Sequence, residues 1–424
     1  MPEQNLDTAI AQAGQMLERA TWAANSFATY DRDEVMRIVK AVTDVAYSKS
    51  REYAEWAVKE TGFGVVDHKE IKNQACSRGI FEQYQHQDFI TPRLDEAHKI
   101  VEVPRPAGVV LALTPSTNPV ATVYFKILLS LLTRNAIVIS PHPMAKQCCA
   151  DAARVLAEAA VLAGAPDGII QCVTEPSIPL IDALMTDART SVILATGGGA
   201  VVRSAYSSGN PAIGVGPGNV PVFVDATADA KVAAKLIIES KAFDNSTLCT
   251  NESVLIVEDA IADKLIRELE RCGAHVLDAA GTAALRDFMY PYGRLNVDVV
   301  GKDAALIAKG AGIRVGPRTK VLVAPFDVAV PRGVVNARKA VPSSGNDPGT
   351  RRPPRHRNSA RDRSYRRCRT LRSNPFTGSA DHHGVHRPSA RAAGSGQRRK
   401  QPGKFRNGNQ PRADHDDRDW VRWP

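Results

Sequence analysis

The stretch Val109-Val-Leu-Ala-Leu-Thr-Pro-Ser-Thr-Asn-Pro119 decides the fold. Five apolar residues without polar alternation read as a strand buried on both faces, and Thr114-Pro-Ser-Thr-Asn-Pro119 reads as the loop it empties into. The pattern recurs downstream: Asn135-Ala-Ile-Val-Ile-Ser140, a helix from about residue 145 to 163, Ile169-Ile-Gln-Cys-Val173, a helix near Leu180, and Ser191-Val-Ile-Leu-Ala-Thr196. Strands alternating with helices predict an α/β fold with a parallel, doubly wound sheet. Upstream, Ile10, Ala13, Met16, Leu17 and Ala20, then Val35, Ile38, Val39, Val42 and Val45, recur at helical spacing and predict an opening helical layer.

Doubly wound sheets bind ligands beyond the carboxyl ends of their strands, where helix N-termini and bare backbone N–H groups can face a phosphate. Thr196-Gly-Gly-Gly199 lies at such an end. Taken alone it reads equally as a tight strand-to-helix turn, and it does not satisfy G-x-G-x-x-G. A second cluster, Gly214-Val-Gly-Pro-Gly218-Asn219, precedes the apolar strand Val220-Pro-Val-Phe-Val224, and its glycines allow close approach of a cofactor or substrate, or simply form a turn.

Downstream of both clusters stands Cys249, in Ser240-Lys-Ala-Phe-Asp-Asn-Ser-Thr-Leu-Cys-Thr-Asn-Glu252. A lone cysteine is ordinarily an inert core residue. Following a nucleotide-compatible segment, it reads as a thiol nucleophile. The seven cysteines, at 76, 148, 149, 172, 249, 272 and 368, are odd in number and widely scattered, with no C-x-x-C pair to suggest zinc or a redox motif and no disulfide pattern, and no metal site is expected. A reducing cytoplasm is the expected compartment. No signal peptide is visible, and the longest apolar stretch, about residues 120–140, is broken by Lys126 and Arg134, so no membrane span is expected.

The formal charge of +10 is unevenly placed. Residues 332–424 hold 23 Lys+Arg against 7 Asp and no Glu, a net of +16; residues 1–331 hold 32 Lys+Arg against 38 Asp+Glu, a net of −6. The tail has one leucine, Leu371, and no isoleucine, so it offers no apolar face for a helix or strand and is expected to be a disordered basic extension. Arg351-Arg352 and Arg366-Arg367 could neutralise nucleic-acid phosphates, but no aromatic interleaving accompanies them, and nucleic-acid binding is the weaker alternative.

In order, Thr114-Pro-Ser-Thr-Asn118-Pro, Pro141-His-Pro143, Ala195-Thr-Gly-Gly-Gly199, Gly214-Val-Gly-Pro-Gly218-Asn219 and Phe243-Asp-Asn-Ser-Thr-Leu-Cys249 resemble motifs of the aldehyde dehydrogenase superfamily. The likeness is to its CoA-acylating branch of acetaldehyde, succinate semialdehyde and sulfoacetaldehyde dehydrogenases, from about residue 10 to about residue 331. The resemblance implies the aldehyde dehydrogenase fold: N-terminal helices and a Rossmann-like cofactor domain over 1–225, then a Cys-bearing catalytic α/β domain over 226–331, left incomplete. It implies homo-oligomers, an aldehyde substrate, NAD or NADP as cofactor and coenzyme A as co-substrate. Cys249 would attack the aldehyde carbonyl, with Asn118 and the Cys249 backbone N–H as oxyanion donors. Hydride then leaves for the nicotinamide and a thioester remains. Thr114, Pro115, His142, Pro143, Thr196, Gly197, Gly198, Gly199, Gly216 and Gly218 map to cofactor-binding motifs. Asn118 alone would read as a loop residue making a local turn.

Hydrolytic members carry a glutamate in Glu-Leu-Gly-Gly to activate water. Here Val215-Gly-Pro-Gly218 stands at that place, and an apolar residue cannot deprotonate water, which favours acyl transfer to CoA. Glu252 could replace the base but reads more simply as a structural carboxylate.

The sequence departs from the family after Pro331, where the Glu-Lys-Leu-x-Pro-Val-Leu motif is missing. Read one base later, codons for Val334-Val-Asn-Ala-Arg-Lys-Ala-Val-Pro-Ser-Ser344 can encode Leu-Ser-Thr-His-Glu-Lys-Leu-Cys-Pro-Val-Leu. The same shift lets Gln410 to Trp420 encode Asn-Leu-Ala-Pro-Thr-Met-Thr-Ile-Gly-Thr-Gly, a string like the acylating C-terminus, and closest to sulfoacetaldehyde-type members. Residues from about 332 are therefore expected to be an out-of-frame reading, and an inactive frameshifted product is the alternative to an active enzyme.

Overall fold

The computed structural model of the chain describes residues 6–326 and the backbone of a strand at Cys368–Ser373. The opening layer comprises α1 (Leu6–Phe27), α2 (Arg32–Ser48), α3 (Ser50–Thr61), α4 (Val66–Gln74) and α5 (Ile80–Tyr84), with a π-turn joining the last two. The buried face of α1 is built largely of alanines, at 9, 13, 20, 23 and 24, with Leu17 and Phe27. Ile10, expected on that face, points outward with 53% of its surface exposed. Small residues let the helix lie close to its neighbours, which the apolar pattern by itself does not reveal. Helix α2 begins at a capping box: the Asp31 side chain accepts from the Glu34 N–H at 2.9 Å, and the Glu34 carboxylate accepts from the Asp31 N–H at 2.9 Å.

A hairpin of β1 (Arg93–Asp95) and β2 (Ile100–Glu102) follows, every residue of it exposed. It went unread in the sequence because an exposed two-stranded element carries no burial pattern. Next come β3 (Val109–Thr114), α6 (Pro119–Leu132), β4 (Ala136–Pro141), α7 (Lys146–Leu162), β5 (Ile170–Cys172), α8 (Ile178–Thr186), β6 (Thr190–Thr196), α9 (Gly199–Tyr206) and β7 (Ala212–Val215). The strands form an all-parallel sheet in the order β5-β4-β3-β6-β7. Every residue of β3 and β4 is buried, as their unbroken apolar runs require. The chain leaves β3 to build β4 and β5 on one side and returns to lay β6 and β7 on the other. The carboxyl ends of β3 and β6 thus meet at the point where the winding reverses, which is where such sheets hold ligands.

Beneath that point, Lys126 of α6 is buried and donates from Nζ to the Leu113 and Leu194 carbonyls, each at 2.7 Å. It thereby ties the ends of β3 and β6 together. Burial draws its amine down to about 7.

A second sheet holds β8 (Val220–Val224), β9 (Glu252–Glu258), β10 (Ala274–Val276), β11 (Val321–Phe326) and β12 (Cys368–Ser373), in the order β10-β11-β12-β9-β8. Helices α10 (Ala230–Ala242) and α11 (Asp259–Arg271) bury Ala234, Ile238, Leu265 and Leu269 in a core shared with Val257 and Val323. A smaller cluster joins α12 (Ala279–Met289) and α13 (Ala304–Gly310) to Leu322 and Ala324.

The chain crosses between sheets at residues 216–219, and the strand Val220–Val224 pairs with β9 in the second sheet. Strand periodicity cannot tell which sheet a buried strand joins. The tail, expected to offer no strand, contributes β12, antiparallel to both β11 and β9. Backbone pairing needs no apolar face, and an unfilled position between two strands presents donors and acceptors on both sides. The arginine pairs 351–352 and 366–367, and the out-of-frame motifs at 334–344 and 410–420, lie outside the described residues.

Candidate active site

Three of the quoted motifs end on adjacent strands. Thr114 closes β3, Pro141 closes β4 in register beside it, and the His142 N–H donates to the Thr114 carbonyl at 3.0 Å. His142 then caps a short 3-10 turn at Pro143–Ala145 by accepting from the Met144 N–H at 3.2 Å. On the other flank of β3, Thr196 closes β6, and Gly198 is the N-cap of α9, whose first residue is Gly199. The Gly197 N–H donates to the Val215 carbonyl at 3.1 Å. A Cβ at Gly198 or at Gly216 would meet nothing within 4 Å, so the backbone there is open to a ligand. Open backbone beside a helix N-terminus at a switch point fits the pyrophosphate of a dinucleotide.

Asn118 occupies the N-cap position of α6, yet its side chain makes no capping bond to the helix. Its Nδ2 instead donates to the Thr247 carbonyl at 3.1 Å and lies 3.3 Å from Thr117 Oγ1, while Oδ1 accepts from Lys72 Nζ. The loop after β3 is thus joined to the segment leading into Cys249. From the other side, Gly218 packs on the Cys249 backbone: a Cβ added to it would stand 2.4 Å from the Cys249 carbonyl oxygen. Cys249 itself is exposed and free, three residues before Glu252 opens β9. Asn118, Gly218 and Cys249, 131 positions apart at the extremes of the sequence, therefore converge. The other mapped residues, Thr114, Pro115, His142, Pro143, Thr196, Gly197, Gly198 and Gly199, belong to the switch-point edge.

The turn before Cys249 is unusual. Asp244, Asn245 and Ser246 all have positive φ, at 49°, 49° and 62°. Left-handed backbone at non-glycine residues costs roughly 1–2 kcal/mol each, less for Asp and Asn. The offset comes from Asp244, fully buried at 0% exposure. Its Oδ1 accepts from the Val65 N–H at 2.7 Å, and its Oδ2 accepts from Lys69 Nζ at 3.1 Å, from Thr247 Oγ1 at 2.6 Å, and from Lys72 Nζ. Its own N–H donates to His68 Nδ1 at 2.8 Å, and the His68 ring stacks on Phe243. Asn245 Nδ2 adds a bond to the Gly301 carbonyl at 3.0 Å.

Burial by itself pushes the Asp244 carboxyl up, but the two ammonium groups overcome it and hold the acid below its ordinary value. Burial, and then the like charge of Lys69, draw Lys72 down to about 8 against the pull of Asp244. Burial likewise lowers Lys69. Sequence reasoning gave Lys69, Lys72 and Asp244 no role. In Val66-Asp-His-Lys-Glu-Ile-Lys-Asn-Gln74, lysines three apart on a polar helix read as a solvated face, and nothing local signals that the carboxylate 172 residues further on will bury them.

Among the described residues no group of His, Cys, Asp or Glu could hold a metal ion, and no helix is long and apolar enough to cross a membrane.

The parallel sheet leaves open glycines at its switch-point edge, and Asn118 joins that edge to the segment leading into the exposed Cys249. A family profile described as the Aldehyde dehydrogenase family matches residues 3–275, and the chain belongs to that family. The bifunctional aldehyde-alcohol dehydrogenase of Escherichia coli is 37% identical over 322 residues, covering 76% of this chain and 36% of that protein. The chain thus spans about a third of the length of the curated relatives of that kind. An acetylating aldehyde dehydrogenase from Geobacillus thermoglucosidasius superposes with TM-score 0.73 at 40% identity, covering 76% of this chain and 72% of that one. A propionaldehyde dehydrogenase from Rhodopseudomonas palustris, solved with bound propionyl-CoA, superposes with TM-score 0.66 at 30% identity, covering 73% and 69%.

Proposed function

We propose that this chain is a CoA-acylating aldehyde dehydrogenase that converts a short aldehyde to its acyl-CoA through a thioester on Cys249. The observation that carries the reading is the convergence of Asn118 and Gly218 on the Cys249 segment. Cys249, as thiolate, forms the carbon–sulfur bond. Asn118 Nδ2 and the Cys249 backbone N–H stabilise the resulting oxyanion, since donors fixed in advance strengthen as charge develops. The open edge at Thr196 to Gly199 and at Gly216 holds the dinucleotide, with Thr114, Pro115, His142 and Pro143 along the same edge. NAD or NADP, when bound, supplies the hydride acceptor.

The acylating outcome is supported by what stands beside the cysteine. Gly216-Pro-Gly218 provides no carboxylate to activate water, so an incoming thiol resolves the thioester. The propionyl-CoA bound to the Rhodopseudomonas relative is consistent with coenzyme A as that thiol. The aldehyde belongs to the short class of acetaldehyde, succinate semialdehyde and sulfoacetaldehyde. A cofactor domain ahead of a catalytic domain, assembly into homo-oligomers and a cytoplasmic location are parts of the same proposal.

Incubation of the chain with propionaldehyde, CoA and NAD+ or NADP+ is expected to yield propionyl-CoA and reduced nicotinamide in equal amounts. Cys249→Ala is expected to abolish both. Reduced nicotinamide without propionyl-CoA would overturn the acylating reading.

A further inference from the structure

We infer that Lys72 is a positioning residue for the reaction: by donating to Asn118 Oδ1 from its anchor on Asp244, it fixes which end of the Asn118 amide faces the Cys249 segment. The inference rests on the proposed role of Asn118 and goes beyond it, because Lys72 lies on α4 of the opening layer, outside every motif that led to the site.

The chemistry of the two groups carries the argument. An amide has an acceptor end and a donor end of nearly equal size, and only its hydrogen bonds decide which way it lies. An ammonium group donates three bonds and accepts none. With Lys72 Nζ against Oδ1, the reversed amide would set NH2 against NH3+, so the donor end must point away from Lys72. It points at Thr247 O, two residues ahead of the nucleophile.

The helix gives up something to keep this arrangement. Asn is among the best N-cap residues, and such a cap stabilises the helix it opens. Here Asn118 sits at the N-cap of α6 without making the bond. Its Oδ1 is occupied by Lys72 instead.

Lys72 is itself held on several sides: it is buried, bonded to Asp244, and 3.5 Å from Thr247 Oγ1. Asp244 also anchors the left-handed turn into Cys249, so one carboxylate sets both the turn and, through Lys72, the amide. Lys69 shares Asp244 but donates to the Thr117 backbone carbonyl rather than to the Asn118 side chain. Its loss should therefore not reverse the amide.

The test is single-turnover formation of the Cys249 thioester in the full chain, with propionaldehyde and NAD+ or NADP+ but no CoA, followed by mass spectrometry of the quenched peptide. Asn118→Ala, Lys72→Met and the double variant are compared with the unaltered chain. Misplacing a reacting group by an ångström can cost on the order of 100-fold. Lys72→Met is expected to slow the saturated rate about 10- to 100-fold with the half-saturating aldehyde concentration unchanged. A merely structural loss would move both. The double variant is expected to be no slower than Asn118→Ala beyond about twofold, because Lys72 acts through Asn118.

Lys72→Met and Lys72→Gln both remove the charge facing Asp244, but only Gln can still donate to Asn118 Oδ1, so Lys72→Gln is the second variant: it is expected to recover at least about threefold of the rate lost in Lys72→Met, and equal rates in the two would overturn the inference. A wild-type rate in Lys72→Met, or a double variant slowed by the full product of the single effects, would overturn the inference while leaving the function intact. No thioester in the unaltered chain would overturn the functional reading and this inference together.

Discussion

Gly218 and the Cys249 carbonyl are in contact so close that no side chain fits between them: a Cβ would lie 2.4 Å from the oxygen and 3.4 Å from the carbonyl carbon. The obstacle is backbone, which cannot rotate aside as a side-chain tip can. Gly218→Ala is expected to displace Cys249 and slow thioester formation about 100-fold. Rapid-quench measurement of the acyl-enzyme checks this, and a rate within twofold of the unaltered chain would refute it.

Gly198 behaves oppositely, since its missing Cβ faces open space. Gly198→Ala is expected to leave the thermal midpoint unchanged. If a dinucleotide approaches this backbone, the added methyl should raise the KM for NAD+ or NADP+ roughly tenfold, the scale on which one carbon group matters in a fitted site. A lowered midpoint with unaltered KM would place the effect in folding instead.

Lys126 makes stability depend on pH. Its folded-state value of about 7 lies below the ordinary 10.5, so between those limits the unfolded chain holds a proton that the folded chain has shed. Stability from this group therefore rises with pH above about 7 by up to about 1.4 kcal/mol per unit, and is flat below it, where both states are protonated. Urea unfolding at pH 7 and 9 is expected to show this component in the unaltered chain and its loss in Lys126→Met. Lys72, drawn down to about 8, keeps a residual slope in that variant.

Gly64 supports the turn before Cys249 from outside. Its φ is 78°, and a Cβ there would stand 2.1 Å from Asp244 Oδ1. Gly64→Ala is expected to push the carboxylate off the Val65 N–H and destabilise the fold by several kcal/mol, on the scale of a disrupted buried ionic network. Thermal unfolding gives the magnitude; Asp31→Ala, which removes only the α2 cap, should cost about 1 kcal/mol in the same assay.

The sequence by itself pointed to the parallel switch-point sheet, because short unbroken apolar runs such as Val109–Leu113, bounded by Gly and Pro and alternating with helical patterns, fit strands covered on both faces. Residue types and their order, which do not depend on any detail of packing, also single out Cys249, Asn118 and the glycine clusters as the proposed site. Tertiary structure decided what sequence spacing cannot carry. It placed Val220–Val224 in the second sheet, set β12 beside β9, and turned the alanine face of α1 inward while leaving Ile10 outside. Above all, it brought Lys69 and Lys72 from a polar helix onto Asp244. A charge reads as solvated until its partner arrives from a distant part of the chain, and only folding makes that introduction.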